Sequence, residues 1–421
     1  MSAKIFERIL YNKLHSAVNL CISQAQHGFV NKKSTRTNLI VKSQIISENL
    51  NKGIQTDIIY TDMAKAFDSV NHTIMLKKLA DCGFSNKLLK LFTSYFENRI
   101  LYVCYGGARS REFVATTGIP QGANLAGLLF AIYINDIEEV VGKGLLMYAD
   151  DVKLVQSIRT YKDTQILQQK LYRLALWCKM NNLSLNTAKC NVVSYTKARN
   201  PHLADYFIQD VKISRRSLVK DLGVHFASDF SFRSHVSTTT SEAYKIIGCI
   251  IRNCRNMSIN CLRRLYKVMV RPKLEYCSEV WSPYQQNHVE DLEQIQRRFL
   301  KFLFRCKHGE YPPRGFPQDV LTKEFEVDAL QKRRICSGVI FVADLIRGDI
   351  DAPELLANIN IHVPKVNTRS SVPFYIPTCL KDVYFHSPMN RMCLQVNKLG
   401  NQLDIFNCNK NHIRQLVLSY K

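Results

Sequence analysis

The chain has 421 residues, 46% of them hydrophobic, which is enough for two or three compact domains or one large multi-lobed one. Its 58 Lys and Arg against 35 Asp and Glu leave a formal charge of +23, more than solubility requires and suited to a polyanion whose phosphates shed counterions onto a basic surface. No apolar run of about 18 residues and no secretory signal appears. The reading is therefore a nuclear or cytoplasmic protein with no membrane partner, its 14 irregularly spaced cysteines reduced.

Residues 4–22 carry Ile5, Ile9, Leu10, Leu14, Val18 and Leu20 at helical spacing, and Gln26-His27-Gly28-Phe29 breaks that helix. A second periodic run, 39–50, follows Ser34 or Thr35 as its cap. The segment 57–63, centred on Ile58-Ile59-Tyr60, predicts a strand. Asn71 or Thr73 opens a helix to Ala80, and 85–96 predicts another. Segments 101–105 and 111–115 flank Gly106-Gly107 as a hairpin, and the loop 118–122 leads into an apolar helix at 125–134.

Segments 145–150 and 152–156 predict a hairpin with an acidic turn. A helix at 164–181 has Ile166, Leu167, Leu171, Leu174, Leu176 and Trp177 as its core face. A further strand lies within 183–195, and 219–226 is a short apolar run. From 234 onward the spacing is helical, at 235–251, 259–270, 288–304 and 325–345, while 358–377 reads as loops and short strands. Cys249 with Cys254, and Cys408 with His412, lack the further ligands of a zinc site.

The acidic turn is the chemical centre of the sequence. Asp150 and Asp151 are adjacent carboxylates in an apolar hairpin, where they repel each other and lose water. A divalent cation removes that cost, because hard cations prefer oxygen ligands. A solvated acidic turn is the alternative reading of the same four residues, Tyr148-Ala149-Asp150-Asp151. Asp62 shifts the balance: it ends another strand, and two strands ending in carboxylates can hold two metal ions roughly 3.5–4 Å apart for phosphoryl transfer. Asp68 reads as a helix-start or hydrogen-bonding residue.

These residues resemble the non-LTR retrotransposon (LINE-like) reverse transcriptases. Segment 60–72, Tyr-Thr-Asp-Met-Ala-Lys-Ala-Phe-Asp-Ser-Val-Asn-His, resembles their first catalytic block. Gly118-Ile119-Pro120-Gln121-Gly122, continuing through 128–136, resembles the block that grips primer and template, and Tyr148-Ala149-Asp150-Asp151 the second catalytic block. Gln26-His27-Gly28-Phe29 with Ser34-Thr35 resembles the upstream fingers block, 174–190 the block after catalysis, and Asp221-Leu222-Gly223-Val224 the primer grip. The ordered set is more specific than any one block. The likeness is strongest over 4–235 and continues more weakly to about 345.

The resemblance implies an α+β right-hand polymerase fold with an antiparallel palm sheet and a helical C-terminal region. Its expected parts are partial fingers at 1–55, palm with inserted fingers elements and primer grip at 56–235, a thumb-like domain at 236–345, and an extension of unassigned role at 346–421. It implies an RNA-directed DNA polymerase with two Mg2+ ions (Mn2+ as the alternative) on Asp62, Asp150, Asp151 and the Met63 carbonyl. Phe67 would exclude a 2′-hydroxyl, a core phenylalanine being the plainer reading, and Gln121 and Gly122 would line the nucleotide pocket. Lys189 would bring charge or a proton to pyrophosphate, and Lys32, Lys33 and Arg36 would meet phosphates; a solvated lysine is the alternative at 189. Arg297, Arg298 and Lys301, and the run Lys332-Arg333-Arg334, would follow a duplex backbone or form solvated helix faces. The implied partners are an RNA template, a DNA primer, their hybrid, and deoxynucleoside triphosphates.

Family members usually place an Arg-Pro-Ile strand ahead of the helix that here begins near Lys4, and a serine and a Gly-Pro where this chain has Ala123-Asn124-Leu125-Ala126-Gly127. The second departure is expected to loosen the pocket. The missing strand and the altered 123–127 segment together motivate an alternative, a catalytically impaired nucleic-acid-binding remnant of a truncated mobile element.

Overall fold

The structure is a computed structural model that describes residues 2–363 and 372–420. Part of the segment expected to form loops and short strands, 364–371, lies outside the described residues. The chain divides into two compact units, Met1–Asn38 with Gly53–Ser217, and Leu39–Lys52 with Leu218–Lys421.

The first unit is built on a five-stranded sheet in the order Ser214–Arg215, Asn191–Tyr195, Gln55–Thr61, Asp151–Ile158, Leu145–Tyr148. The last four strands pair antiparallel. Ser214–Arg215 runs parallel to its neighbour, so the expected antiparallel sheet is in fact mixed. A parallel neighbour needs a crossover, and residues 196–213 provide it. Every residue of Gln55–Thr61 is buried. Its polar members are satisfied locally: Gln55 Nε2 donates to Asp57 Oδ1 at 2.7 Å, Tyr206 OH to Asp57 Oδ2 at 2.8 Å, and Thr61 Oγ1 to the Val152 carbonyl at 2.9 Å.

The helix Ala126–Tyr133 is buried nearly all round, as its apolar sequence predicts. In the helix Tyr161–Met180 the core face is Thr164, Leu167, Leu171, Leu174, Trp177 and Cys178. Ile166 and Leu176, expected on that face, are 43% and 46% exposed. They lie off the stripe that steps three and four residues from 164 to 178, and angular position overrides hydrophobicity. The first helix, Ser2–Asn19, buries Val18 and packs Leu10 and Leu14 on the core, while Ile5, Ile9 and Leu20 of the expected stripe stay exposed.

In the second unit the apolar run 219–226 is a hairpin, Leu218–Asp221 against Val224–Ala227. Its turn residues Leu222 and Gly223 both have positive φ, 43° and 85°, as a tight two-residue hairpin turn demands. The helices Arg233–Asn253, Ile259–Leu265, Gln286–His308 and Leu330–Ile346 follow, near their expected positions. Gln286–His308 buries Leu292, Ile295, Phe299 and Leu303.

The basic run at 332–334 is not a duplex-facing surface or a solvated face. Lys332 Nζ donates to the carbonyls of Leu418 and Tyr420, Arg333 pairs with Glu275, and Arg334 is buried. Helix packing draws these cations inward, which a charge count cannot foresee. No helix among the described residues is long and apolar enough to cross a membrane.

Lys42 and Asp221 form an ion pair with side chains 0% and 3% exposed, and the Lys42 ammonium lies 3.2 Å from the Phe226 ring centroid. Removing one member takes away the opposite charge that the other faces in the interior. Asp221→Ala is therefore expected to lower unfolding free energy by about 3–5 kcal/mol. The double change Lys42→Met with Asp221→Leu, which removes both charges, is expected to recover most of that loss. Urea titration of the three proteins checks both outcomes.

Candidate active site

Strand register decides which carboxylates can meet. The last pair between Gln55–Thr61 and Asp151–Ile158 is Thr61 with Val152. Asp62 follows Thr61 and Asp151 precedes Val152, so both stand at the same end of that pairing. Tyr148 pairs with Asp151, which leaves Ala149 and Asp150 as a two-residue turn, Ala149 at φ 54°. All three predicted acidic residues thus reach one end of the sheet. Asp150 is half-buried and Asp151 exposed.

The side chains do not converge equally. Asp62 Oδ2 lies 3.2 Å from the Lys189 ammonium, with the two side chains 36% and 67% exposed. Among the described residues, no three His, Cys, Asp or Glu side chains gather closely enough to hold a metal ion. Like charges spread apart, and Lys189 gives Asp62 a partner of opposite sign. The donor set itself, carboxylate oxygens on an accessible sheet end, is of the type a hard divalent cation takes. The segment 182–190 is strapped across Asp62: the Asn186 N–H donates to the Asp62 carbonyl at 2.8 Å, and Met63 pairs with Leu185. Met63 is buried.

Behind the turn is a layer the sequence did not assign to it. The main chain of 25–27 docks on the edge strand, with Met147 N–H to the Ala25 carbonyl at 2.8 Å and His27 N–H to the Met147 carbonyl at 2.9 Å. Gln26 Oε1 accepts from Gly28 N–H at 2.7 Å and from Ala149 N–H at 3.0 Å. A Cβ on Gly28 would come within 2.4 Å of the Ala149 nitrogen, so glycine is required for this approach. Asn38 joins the layer, donating to the Met147 carbonyl at 3.0 Å and accepting from buried Lys153 at 2.6 Å. His27 Nδ1 lies 2.8 Å from Thr37 Oγ1. Burial, reinforced by the charges of Lys33 and Lys153, pushes the His27 imidazole down to about 3. The available sequence signals were a lysine inside an apolar strand and a Gln-His-Gly break read as the end of a helix and as part of the fingers block.

The residues expected around a nucleotide are placed as follows. Phe67 is half-buried, stacked on Phe130 with centroids 4.4 Å apart and edge-on to Phe29 at 6.1 Å. A Cβ on Gly127 would meet the Phe29 ring at 2.3 Å, so Gly127 gives that ring its seat. Gln121 is exposed, and its Nε2 donates to Asp68 Oδ1 at 2.8 Å, which makes Asp68 a hydrogen-bonding residue. Gly122 is exposed at φ 79° with open space where a Cβ would be. Lys33 Nζ donates to the Gln24 carbonyl and to Gln24 Oε1, both at 2.7 Å, and Arg36 is half-buried in the first turn of its helix.

The expected loosening at 123–127 is not what the structure shows. Asn124 N–H donates to Glu7 Oε2, and Asn124 Nδ2 to the Lys4 carbonyl, both at 2.9 Å, which pins the segment to the first helix. In the second unit, Arg297 is engaged by Glu290 at 3.2 Å and Gln318 at 2.8 Å. Arg298 is exposed beside the Tyr244 ring, and Lys301 is half-buried.

Comparison with known proteins adds a family match. Residues 1–251 match the family described as reverse transcriptase (RNA-dependent DNA polymerase). The chain is 25% identical over 318 residues to a probable RNA-directed DNA polymerase from transposon X-element of Drosophila melanogaster, a match covering 72% of this chain and 35% of that protein. It is 26% identical over 340 residues to the RNA-directed DNA polymerase from mobile element jockey of Drosophila funebris, covering 77% and 36%. It therefore spans about a third of the length of the curated relatives it matches. Among solved structures, apo telomerase from Candida tropicalis superposes with a TM-score of 0.44 at 13% identity, over 76% of this chain and 51% of that one, a likeness too weak to carry an argument.

The buried imidazole behind the turn gives a pH signature. The folded value of about 3 is below the unfolded value near 6.5, so the unfolded chain takes up a proton that the folded chain refuses. The stabilisation is complete above pH 6.5 and is lost as pH falls toward 3, by up to about 1.4 kcal/mol per pH unit. His27→Asn is expected to lack this component. In urea unfolding, the stability difference between wild type and the variant should therefore change between pH 7 and pH 5, with wild type losing more.

Proposed function

The chain belongs to the reverse transcriptase (RNA-dependent DNA polymerase) family, in its non-LTR, LINE-like branch, and on that premise we propose that it is a polymerase core that extends a primer 3′ end with deoxynucleotides along an RNA template. The observation that supports this reading best is the pairing of Thr61 with Val152, which brings Asp62 and Asp151 to the same end of the sheet. On this reading residues 1–55 are partial fingers, 56–235 palm with primer grip, and 236–345 a thumb-like domain.

Asp62, Asp150, Asp151 and the Met63 carbonyl would hold two magnesium ions, or manganese, which when bound neutralise the triphosphate and acidify the primer hydroxyl. The remaining work belongs to the chain's own groups. Lys189, exposed and with its ammonium beside Asp62, can turn that ammonium to the pyrophosphate as charge develops there. Phe67, fixed by Phe130 on one face, presents its ring as the barrier to a 2′-hydroxyl. Gln121 and Gly122 offer an exposed amide and an unobstructed backbone to the incoming nucleotide. Lys33 and Arg36 would add phosphate contacts on the same unit, and Arg298, Lys301 and Arg297 backbone contacts on the other. An RNA template, a DNA primer, their hybrid and deoxynucleoside triphosphates are the partners this requires.

A second reading rests on the contact between Asp62 and Lys189, where the described residues show no gathered three-carboxylate cluster. It makes the chain a nucleic-acid binder that does not extend primers.

Extension of a DNA primer on an RNA template with magnesium separates the two. Asp150→Asn is expected to lower extension at least ~100-fold while leaving hybrid binding intact. No extension by wild type with hybrid binding preserved favours the second reading, and equal extension by both proteins removes Asp150 from the proposed metal site.

Phe67→Ala is expected to raise ribonucleotide use relative to deoxynucleotide use by roughly 10-fold or more, read as a ratio of kcat/KM values. An unchanged ratio leaves Phe67 as a core ring.

A further inference from the structure

We infer that Gln26 is a positioning residue for the Asp150–Asp151 turn, fixing its backbone through a single acceptor oxygen. The inference rests on the reading of that turn as part of a polymerase metal site. A two-residue turn with a non-glycine residue at φ 54° tends to relax unless something outside it holds the strained peptide. The hairpin partner cannot hold the Ala149 N–H, because Ala149 is one of the two turn residues left outside the Tyr148–Asp151 pair. The Gln26 carboxamide oxygen does so at 3.0 Å, and the same oxygen accepts from Gly28 at 2.7 Å.

Both partners are N–H donors, so the oxygen and not the nitrogen must face them. The side chain has no freedom to do otherwise: Gln26 is 1% exposed, and its main chain is clamped on either side by the Ala25 and His27 bonds to Met147. Its Nε2 is buried without a hydrogen-bond partner among the described residues. A buried unpaired amide is a cost, and an apolar side chain of the same length would avoid it. The residue keeps its polar end for the oxygen alone. Gly28 completes the wall, since its missing Cβ lets the loop lie against the Ala149 nitrogen. Asn38 holds the carbonyl of Met147, two residues before Ala149.

Three variants of the full chain test this. Gln26→Met keeps length and loses the acceptor, Gln26→Glu keeps an acceptor oxygen at the same place, and Asp150→Asn removes a proposed ligand directly. Hydrogen exchange is followed in the peptide 147–152, and Mn2+ alone is titrated by electron paramagnetic resonance. Gln26→Met should speed exchange in that peptide by about 10-fold and weaken Mn2+ binding by about 10-fold, with other peptides unchanged. Gln26→Glu should retain turn protection.

Wild-type protection and Mn2+ affinity in Gln26→Met would overturn the inference. So would equal damage in Gln26→Glu, which would make burial and not the acceptor the cause. If Gln26→Met does not fold, Gln26→Glu decides alone: retained protection of 147–152 supports the role, and lost protection refutes it. Unchanged Mn2+ binding in Asp150→Asn would instead sink the metal-site reading, and leave the exchange result to speak for Gln26.

Discussion

Two carboxylates on a two-residue turn push against the fold that carries them. Asp150 and Asp151 repel each other, and the turn that presents them bends Ala149 into the left-handed region at φ 54°. The pairing of the hairpin does not hold the Ala149 peptide, because the strand pair Leu145–Tyr148 and Asp151–Ile158 ends at Tyr148 and Asp151. The support comes from behind, from residues more than a hundred positions earlier in the chain, where Gln26, Gly28 and Asn38 close on Met147 and Ala149. Much of the first unit follows from that requirement. The first helix must end where it does so that 25–28 can run along the edge strand, and glycine must stand at 28.

The same layer explains why polar groups are buried where an ordinary core would be apolar. Lys153 belongs to a strand whose alternate residues enter the core, yet it is 1% exposed and ends on Asn38. His27 is kept neutral beside it, with Nδ1 within hydrogen-bond distance of the Thr37 hydroxyl. An imidazolium this close to Lys153 and Lys33 would add to the positive charge, and burial removes the water that would screen it. In the second unit, Lys42 and Asp221 meet a like problem differently, as a buried ion pair beside the Phe226 ring. Networks of this kind restrict the chain to one arrangement more than they stabilise it, since each unmade bond leaves a costly group behind.

Element type was legible where a single period dominated. Helices at 86–96 and 126–133 and the acidic hairpin lie within a few residues of where their patterns put them, and Asn71 and Ser85 cap their helices through side-chain oxygens. Register was not legible. Gln55–Thr61 is buried on both faces, so it lacks the alternation that would fix which residue faces which. The parallel edge strand was hidden because Ser214–Arg215 is two residues long. Face assignments failed at Ile166 and Leu176, where an apolar residue sits off the buried stripe, and the 332–334 run failed because long cationic side chains bend back onto carbonyls and carboxylates. At the site, the acidic residues were visible as a motif, whereas the Gln26 contact, with partners 123 positions apart, leaves no local trace.

The segment 123–127 shows how a departure from a family pattern can be absorbed. Without a proline to stiffen it, the chain before Ala126–Tyr133 needs another restraint, and Asn124 provides one by bonding Glu7 and the Lys4 carbonyl. Glu7 is shared, because Tyr95 OH also donates to it at 3.0 Å, so one carboxylate ties the loop to two helices. Gly127 then has a specific reason to be glycine: the Phe29 ring occupies the space of its Cβ, and Phe29 in turn stands edge-on to Phe67. The ring proposed to exclude a 2′-hydroxyl is therefore set by Phe130 from one side and, through Phe29, by the absence of a side chain at 127. A methyl group added at 127 would press on Phe29 before it touched anything else, and Phe29 is half exposed and free to yield only outward. The geometry of the pocket wall thus depends on what the loop omits as much as on the aromatic rings that line it.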